Sequence, residues 1–159
     1  MTERSCEGCN VCCKALAVPA LDKPAGQACA HMVTDPNEKR RGACRIYATR
    51  PAECQAYRCL WLSGFGPTRH RPDRSGLVLE GQVTAMGPAV VVREVRTGAL
   101  AGVWGGQVLR ELRRTGANLY IKRQDGSVSV QGDEAFVRKA AEIAASAKAN
   151  GVHLKITNG

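Results

Sequence analysis

No cysteine occurs after position 59, although eight occur up to and including it. Aromatic residues make up 4% of the chain against 44% hydrophobic residues, so a core must be built from Val, Leu, Ile and Ala. No apolar run approaches the ~18–20 residues that a membrane-crossing helix needs, which predicts no membrane partner. The opening Met1-Thr2-Glu3-Arg4-Ser5-Cys6 has no signal-type apolar stretch. The expected location is the cytoplasm, where thiols stay reduced. The phosphate loop, the Gly-x-Ser-x-Gly elbow and the His-Glu-x-x-His helix are all missing. Gly98, Gly102, Gly105 and Gly106 do not compose a dinucleotide fingerprint. No motif assigns an enzyme class, and whether the chain is an enzyme stays open.

What is present begins with charge. The formal net charge is +9, with 12 Lys/Arg and 7 Asp/Glu in residues 1–76 and 11 and 7 in residues 77–159. Such an even spread makes no nucleic-acid footprint. Two zinc ions held by eight thiolates would add a net charge of roughly −4, so the basic excess can balance sulfur. Nucleic acid is therefore not an expected partner, whereas metal ions are.

The texture changes near residue 76. Residues 1–76 are rich in Pro and Gly and poor in apolar periodicity, as expected where metal bonds replace a core. Short helices are expected around Asn10–Ala15 and Arg50–Leu62. Gly64 to Arg74, including Arg69-His70-Arg71, is expected to be a solvated loop. Residues 77–159 carry strand patterns at Leu77–Leu79, Ala89–Val95, Leu119–Arg123, Ser127–Val130 and, alternating, Val152, Leu154 and Ile156. Helices are expected over Gly106–Arg114 and Glu134–Ala149. The second has Asp133 as N-cap, Asn150-Gly151 as stop, and a stripe of Phe136, Val137, Ala140, Ile143, Ala144 and Ala147. The expected fold class is α+β: an irregular cysteine-rich metal-binding module (1–76) followed by a small antiparallel sheet with two helices on one face (77–159). The two regions are expected to pack as one unit.

The cysteines read Cys6-x-x-Cys9-x-x-Cys12-Cys13, then Cys29, Cys44, Cys54 and Cys59. Thiolates bind zinc and iron strongly, and closely spaced thiols can reach one centre from a single turn. Three cysteines at steps of three plus a remote fourth suit a four-iron cluster, and separated cysteines suit tetrahedral zinc. Cys12 and Cys13 diverge as neighbours, so they are expected to serve different centres. Disulfides, inert buried thiols, and one site with spare thiols are the blander readings. His31, two residues after Cys29, is a further ligand candidate; His70 and His153 are poor ones.

Read with its neighbours, the series continues as Cys44-Arg45-Ile46-Tyr47, Arg50-Pro51, Cys54 and Tyr57-Arg58-Cys59-Leu60-Trp61. Over roughly residues 5–62 this pattern resembles the YkgJ-like cysteine-cluster family, described as zinc- or iron-chelating, with the flagellin lysine N-methylases as distant relatives. The resemblance implies that all eight cysteines fall on motif positions. Residues 77–159 carry no motif matching the methylases. Ile46, Tyr47, Leu60 and Trp61 are expected to cover the centre, and Arg45, Arg50 and Arg58 to offset sulfur charge. The expected function is a metal-binding protein holding an iron–sulfur cluster (4Fe–4S) or Zn2+, as a redox or transferase component. The alternative is a zinc-stabilised non-catalytic module that binds a protein or nucleic acid.

Overall fold

Strands form where β-branched residues meet two covered faces, and the longest apolar run seeds the sheet. Val90, Val91 and Val92 lie at the heart of β2 (Gly87–Glu94), which pairs antiparallel with β1 (Leu77–Thr84) in the register Leu77↔Glu94 to Thr84↔Gly87. The computed structural model describes residues 4–6, 8–33, 44–151 and 156–158. It shows an α+β chain with a five-stranded sheet in sequential order, completed by β3 (Leu119–Lys122), β4 (Val128–Gln131) and β5 (Ile156–Asn158). The expected residues Val152 and Leu154 of the last strand lie outside the described residues.

Before the sheet come three short helices, α1 (Val11–Ala15), α2 (Ala52–Ala56) and α3 (Pro72–Ser75). Two longer ones, α4 (Val103–Arg114) and α5 (Glu134–Ala149), connect strands within it. Among the described residues no helix is long and apolar enough to cross a membrane.

The sheet is mixed, which corrects the antiparallel expectation. β2 pairs parallel with β3 and β4 parallel with β5, each pair being joined through a helix. A parallel pair needs such a crossover, whereas β3 and β4 need only the hairpin turn at Gln124-Asp125-Gly126. The helices also occupy opposite faces. Val108, Leu109 and Leu112 of α4 pack on Leu77, Leu79, Val92, Leu119 and Ile121. Phe136 and Ala140 of α5 pack on Ala89 and Val130, with Tyr120 beside them. Because β4 runs against β2, the usual right-handed crossover puts its helix on the other side.

Local detail follows from the residues. Asp133 Oδ1 accepts the Phe136 amide at 2.8 Å, the expected N-cap of α5. On α4 the helix begins at Val103, earlier than expected, because Gly105 lets the first turn rest on the preceding 3-10 turn. A Cβ on Gly105 would meet the Ala99 carbonyl oxygen at 1.9 Å. β1 runs past Leu79 as far as Thr84, with its first half buried and Gly81 to Val83 exposed.

The Arg69–Arg74 run is not a solvated loop. Thr68–His70 forms a 3-10 turn leading into α3, and His70 is 1% exposed. Its Nδ1 lies 3.4 Å from Glu111 Oε2 of α4. Burial is the main cause that pushes the His70 pKa below its usual value, with Arg69 adding to it against the pull of Glu111.

Two outcomes follow. Gly105→Ala forces backbone apart and should cost about 1–3 kcal/mol, the usual penalty of overpacking, read as a lower denaturant midpoint. Burial disfavours the protonated form of His70 in the fold, so as pH falls through the ordinary value of 6.5 the unfolded chain binds more protons than the folded one. Stability should be full above that pH and fall as pH drops through it. Denaturation midpoints measured across this window should lose most of that slope in His70→Asn.

Candidate metal centre

The cysteine segments are arranged by backbone bonds more than by helices. Cys9 N donates to Cys6 O at 2.8 Å, folding the first spacing into a turn with Gly8 at φ +73°. α1 then carries Cys12 and Cys13 side by side, about 100° apart around the helix axis. Cys29 N donates to Cys13 O at 2.9 Å, and Met32 N to Cys29 O at 3.0 Å. A bridge pairs Met32 with Cys44. α2 presents Cys54, while Glu53 Oε1 of the same helix accepts the Ala20 amide at 3.0 Å.

Cys59 arrives last, on a turn held against the sheet by Leu60 N donating to Leu79 O at 2.9 Å. Two polar clasps strengthen this seam. Tyr57 Oη donates to Glu80 Oε1 at 3.0 Å, and Arg93 Nε and Gln82 Nε2 donate to Glu80 Oε2 at 3.2 and 2.8 Å. Glu80 is 6% exposed, so its charge depends on these donors. At the chain start Arg4 donates to the carbonyls of Trp61, Phe65 and Gly66 and stacks over the Trp61 ring at 5.1 Å.

All eight cysteines line one cavity of about 610 Å³. Cys59 is buried and the other seven are half-buried, and all are free thiols. Among the described residues no group of three or more His, Cys, Asp or Glu is drawn together closely enough to hold an ion. The sulfurs thus surround a space without converging on a point. The donor set itself is all soft sulfur, with Arg4, Arg50 and Arg58 on the same wall. That chemistry fits a thiophilic metal or an iron–sulfur cluster.

Electrostatics link the thiols in subsets. Burial pushes the Cys6 and Cys9 thiols up, and Cys6 is raised further by Cys59 and Cys9 while Arg58 and Arg50 oppose. Cys12 donates a hydrogen bond to Cys13, which with burial lifts Cys12 far above the usual thiol range. The same bond, aided by nearby Lys23, lowers Cys13 to about 7. Burial, Glu53, and then Cys13, Cys29 and Cys44 raise Cys54.

Several expected roles come out differently. Trp61 is buried, yet it does not line the cavity; its Nε1 donates to Pro67 O at 3.1 Å. Leu60 packs on the sheet core, while Ile46 and Tyr47 do line the cavity, Tyr47 at 47% exposure beneath the Arg50 guanidinium. Arg50 donates to the Tyr47 and Cys54 carbonyls, Arg45 to that of Met32, and Arg58 stands beside Cys6. His31 and His70 do not line the cavity, and His153 lies outside the described residues. Arg4, Lys23 and Glu80 carry no motif. The one hint in the sequence is a carboxylate ending the apolar Leu77-Val78-Leu79.

No protein-family model matches the chain, and neither the curated proteins nor the solved structures give a match.

Tyr57→Phe tests the seam. It strips the one donor on Glu80 Oε1 that comes from the cysteine region, and a buried acceptor left short costs about 1–3 kcal/mol. Chemical denaturation should register that loss, and modification of Cys59 by a thiol reagent should speed up.

Proposed function

We propose that this chain is a metal-binding protein whose clustered cysteine thiolates hold an iron–sulfur cluster, serving as a redox or transferase component. The observation that carries this reading is the gathering of every cysteine in the chain, from the Cys6–Cys13 run and from Cys29, Cys44, Cys54 and Cys59, around one cavity. Eight inert thiols would scatter through apolar packing instead. The likeness of the cysteine order to the YkgJ-like cluster proteins supports the same reading. So does the setting, since free thiols this close together persist in a reducing compartment such as the cytoplasm.

A cluster held there supplies one-electron chemistry, or a site for a bound group. The chain's own contribution is separable. Arg58 and Arg50 offset the negative charge of thiolates around Cys6, and the Tyr57–Glu80 clasp keeps the inner wall against the sheet. Zinc is the second reading, favoured by Cys29, Cys44 and Cys54 arriving singly from separate segments. A closed four-thiolate zinc site leaves no open coordination position, so the protein would then be a non-catalytic module that binds a protein partner.

Protein purified without oxygen should be brown, absorb broadly near ~400 nm, and contain iron with acid-labile sulfide. Colourless protein with zinc alone would move the conclusion to the binding module, and metal-free protein would overturn metal binding. Strong chelation or Cys9→Ala should also expose residues 5–62 to amide exchange while β1–β4 stay protected, because metal bonds stand in for a core there.

A further inference from the structure

We infer that the hollow between α5 and the β1–β2 hairpin is a second binding site, for a small aliphatic monocarboxylate whose head group Lys122 holds. It shares no wall residue with the cysteine cavity and does not depend on the metal-binding reading.

The hollow follows from how two layers share one face of the sheet. Side chains two apart on a strand face the same way, so Val78, Glu80, Gln82 and Thr84 form one row along β1. The cysteine region takes the first half of that row: Val78 lines its cavity and Glu80 accepts from Tyr57. α5 packs instead on Ala89 of β2 and Val130 of β4. Between the two layers, Gln82 and Thr84 border a hollow of about 280 Å³. That is close to the lower end of the range for small-molecule sites.

One part of the wall is apolar and the other carries a cation. Val91 and Ala140 are buried there, with Met86, Val128 and Ile143 around them. Lys122 stands in the same wall, half-buried, 5.3 Å from the centre of the Tyr120 ring. Its neighbour across the β2–β3 pairing, Arg93, is matched by Glu80, to which Arg93 Nε donates at 3.2 Å. Among the described residues Lys122 itself makes no ion pair. A half-buried ammonium without a counter-ion, beside an apolar hollow, selects an anion with an apolar body. One unmatched charge suits a singly charged carboxylate better than a phosphate dianion. Burial, then Arg93, also pushes the Lys122 pKa below the usual lysine value against the pull of Glu80, and a bound carboxylate would reverse that shift.

The hairpin side of the hollow is held in place. Gln82 Nε2 donates to Glu80 Oε2 at 2.8 Å, and Thr84 Oγ1 donates to Gly87 O at 2.8 Å while accepting the Met86 amide at 3.2 Å. A wall fixed by such bonds does not collapse inward to fill the space, so a ligand finds the site already formed.

The test uses the whole chain, methyl-labelled and in the metal state in which it is isolated. Sodium hexanoate is titrated while the methyl resonances of Met86, Val91, Val128 and Ile143 are followed, with hexan-1-ol as the uncharged probe of equal length. Hexanoate should shift these methyls saturably with a Kd of about 1 mM, as for other ligands of ~8 non-hydrogen atoms, and hexan-1-ol should bind more weakly. Lys122→Gln should weaken hexanoate about tenfold and leave hexan-1-ol unchanged. Ile143→Trp, which fills the hollow, should remove both while the amide spectrum of β1–β4 stays folded. Lys122→Gln, at a partly exposed position, keeps the test decisive if that larger side chain unfolds the protein. Absence of any saturable hexanoate shift in the folded wild-type chain overturns the site. Equal hexanoate affinity in Lys122→Gln, or hexan-1-ol binding as tightly as hexanoate, overturns the carboxylate assignment. None of these results alters the metal content, which is assayed on the same sample.

Discussion

The seam along β1 is the constraint on which the molecule depends. An edge strand offers unpaired N–H and C=O groups, and here the Leu60 amide takes up the Leu79 carbonyl while Tyr57 caps the buried Glu80. Without that cover, Val78 and Glu80 would face water on one side of the sheet. In return the sheet supplies a rigid wall for residues that have little core of their own. Cys59 owes its position to the sheet more than to its neighbours in sequence.

On the other side of the seam, the cavity is organised by charge balance. Burial pushes the thiols of Cys6, Cys9 and Cys54 up, with neighbouring thiols adding to it at Cys6 and Cys54, and at Cys12 the bond to Cys13 acts ahead of burial. The bond from Cys12 favours the charged form of Cys13, and buried Lys23 does the same with its ammonium on the Leu16 and Pro24 carbonyls. Arg4 works differently, using its guanidinium to collect three carbonyls from one turn. Cations here fix the loops as well as the field: Arg45 and Arg50 hold backbone carbonyls, while Arg58 and Arg50 favour the charged form of Cys6.

α5 was legible in full, because cap, stripe and stop are all encoded within a few residues: Asp133, the Phe136-to-Ala147 face, Asn150. The Gln124-Asp125-Gly126 hairpin was legible for the same reason. Strand partners were not. Period-2 alternation tells which face is buried and says nothing of which strand lies alongside, so β2 and β3 gave no local sign of running parallel. The second half of β1 escaped because Gly81 to Val83 are exposed and Gly81, Gln82 and Thr84 offer no apolar pattern. At the site, the shared location of the eight cysteines followed from their number and spacing. Burial of Glu80 and His70 did not, since each is created by a segment distant in sequence.

The Arg4 clasp has a consequence for timing. It joins residues 57 to 62 positions apart, and its partner turn is itself seated on β1, which pairs with β2 out to Glu94. During synthesis, which proceeds from the N-terminus, Cys6 to Cys59 emerge well before the strands that seat Cys59. The chain therefore makes its most reactive groups first and shelters them last. For that interval the thiols from Cys6 to Cys59 stand without the wall that β1 later gives them.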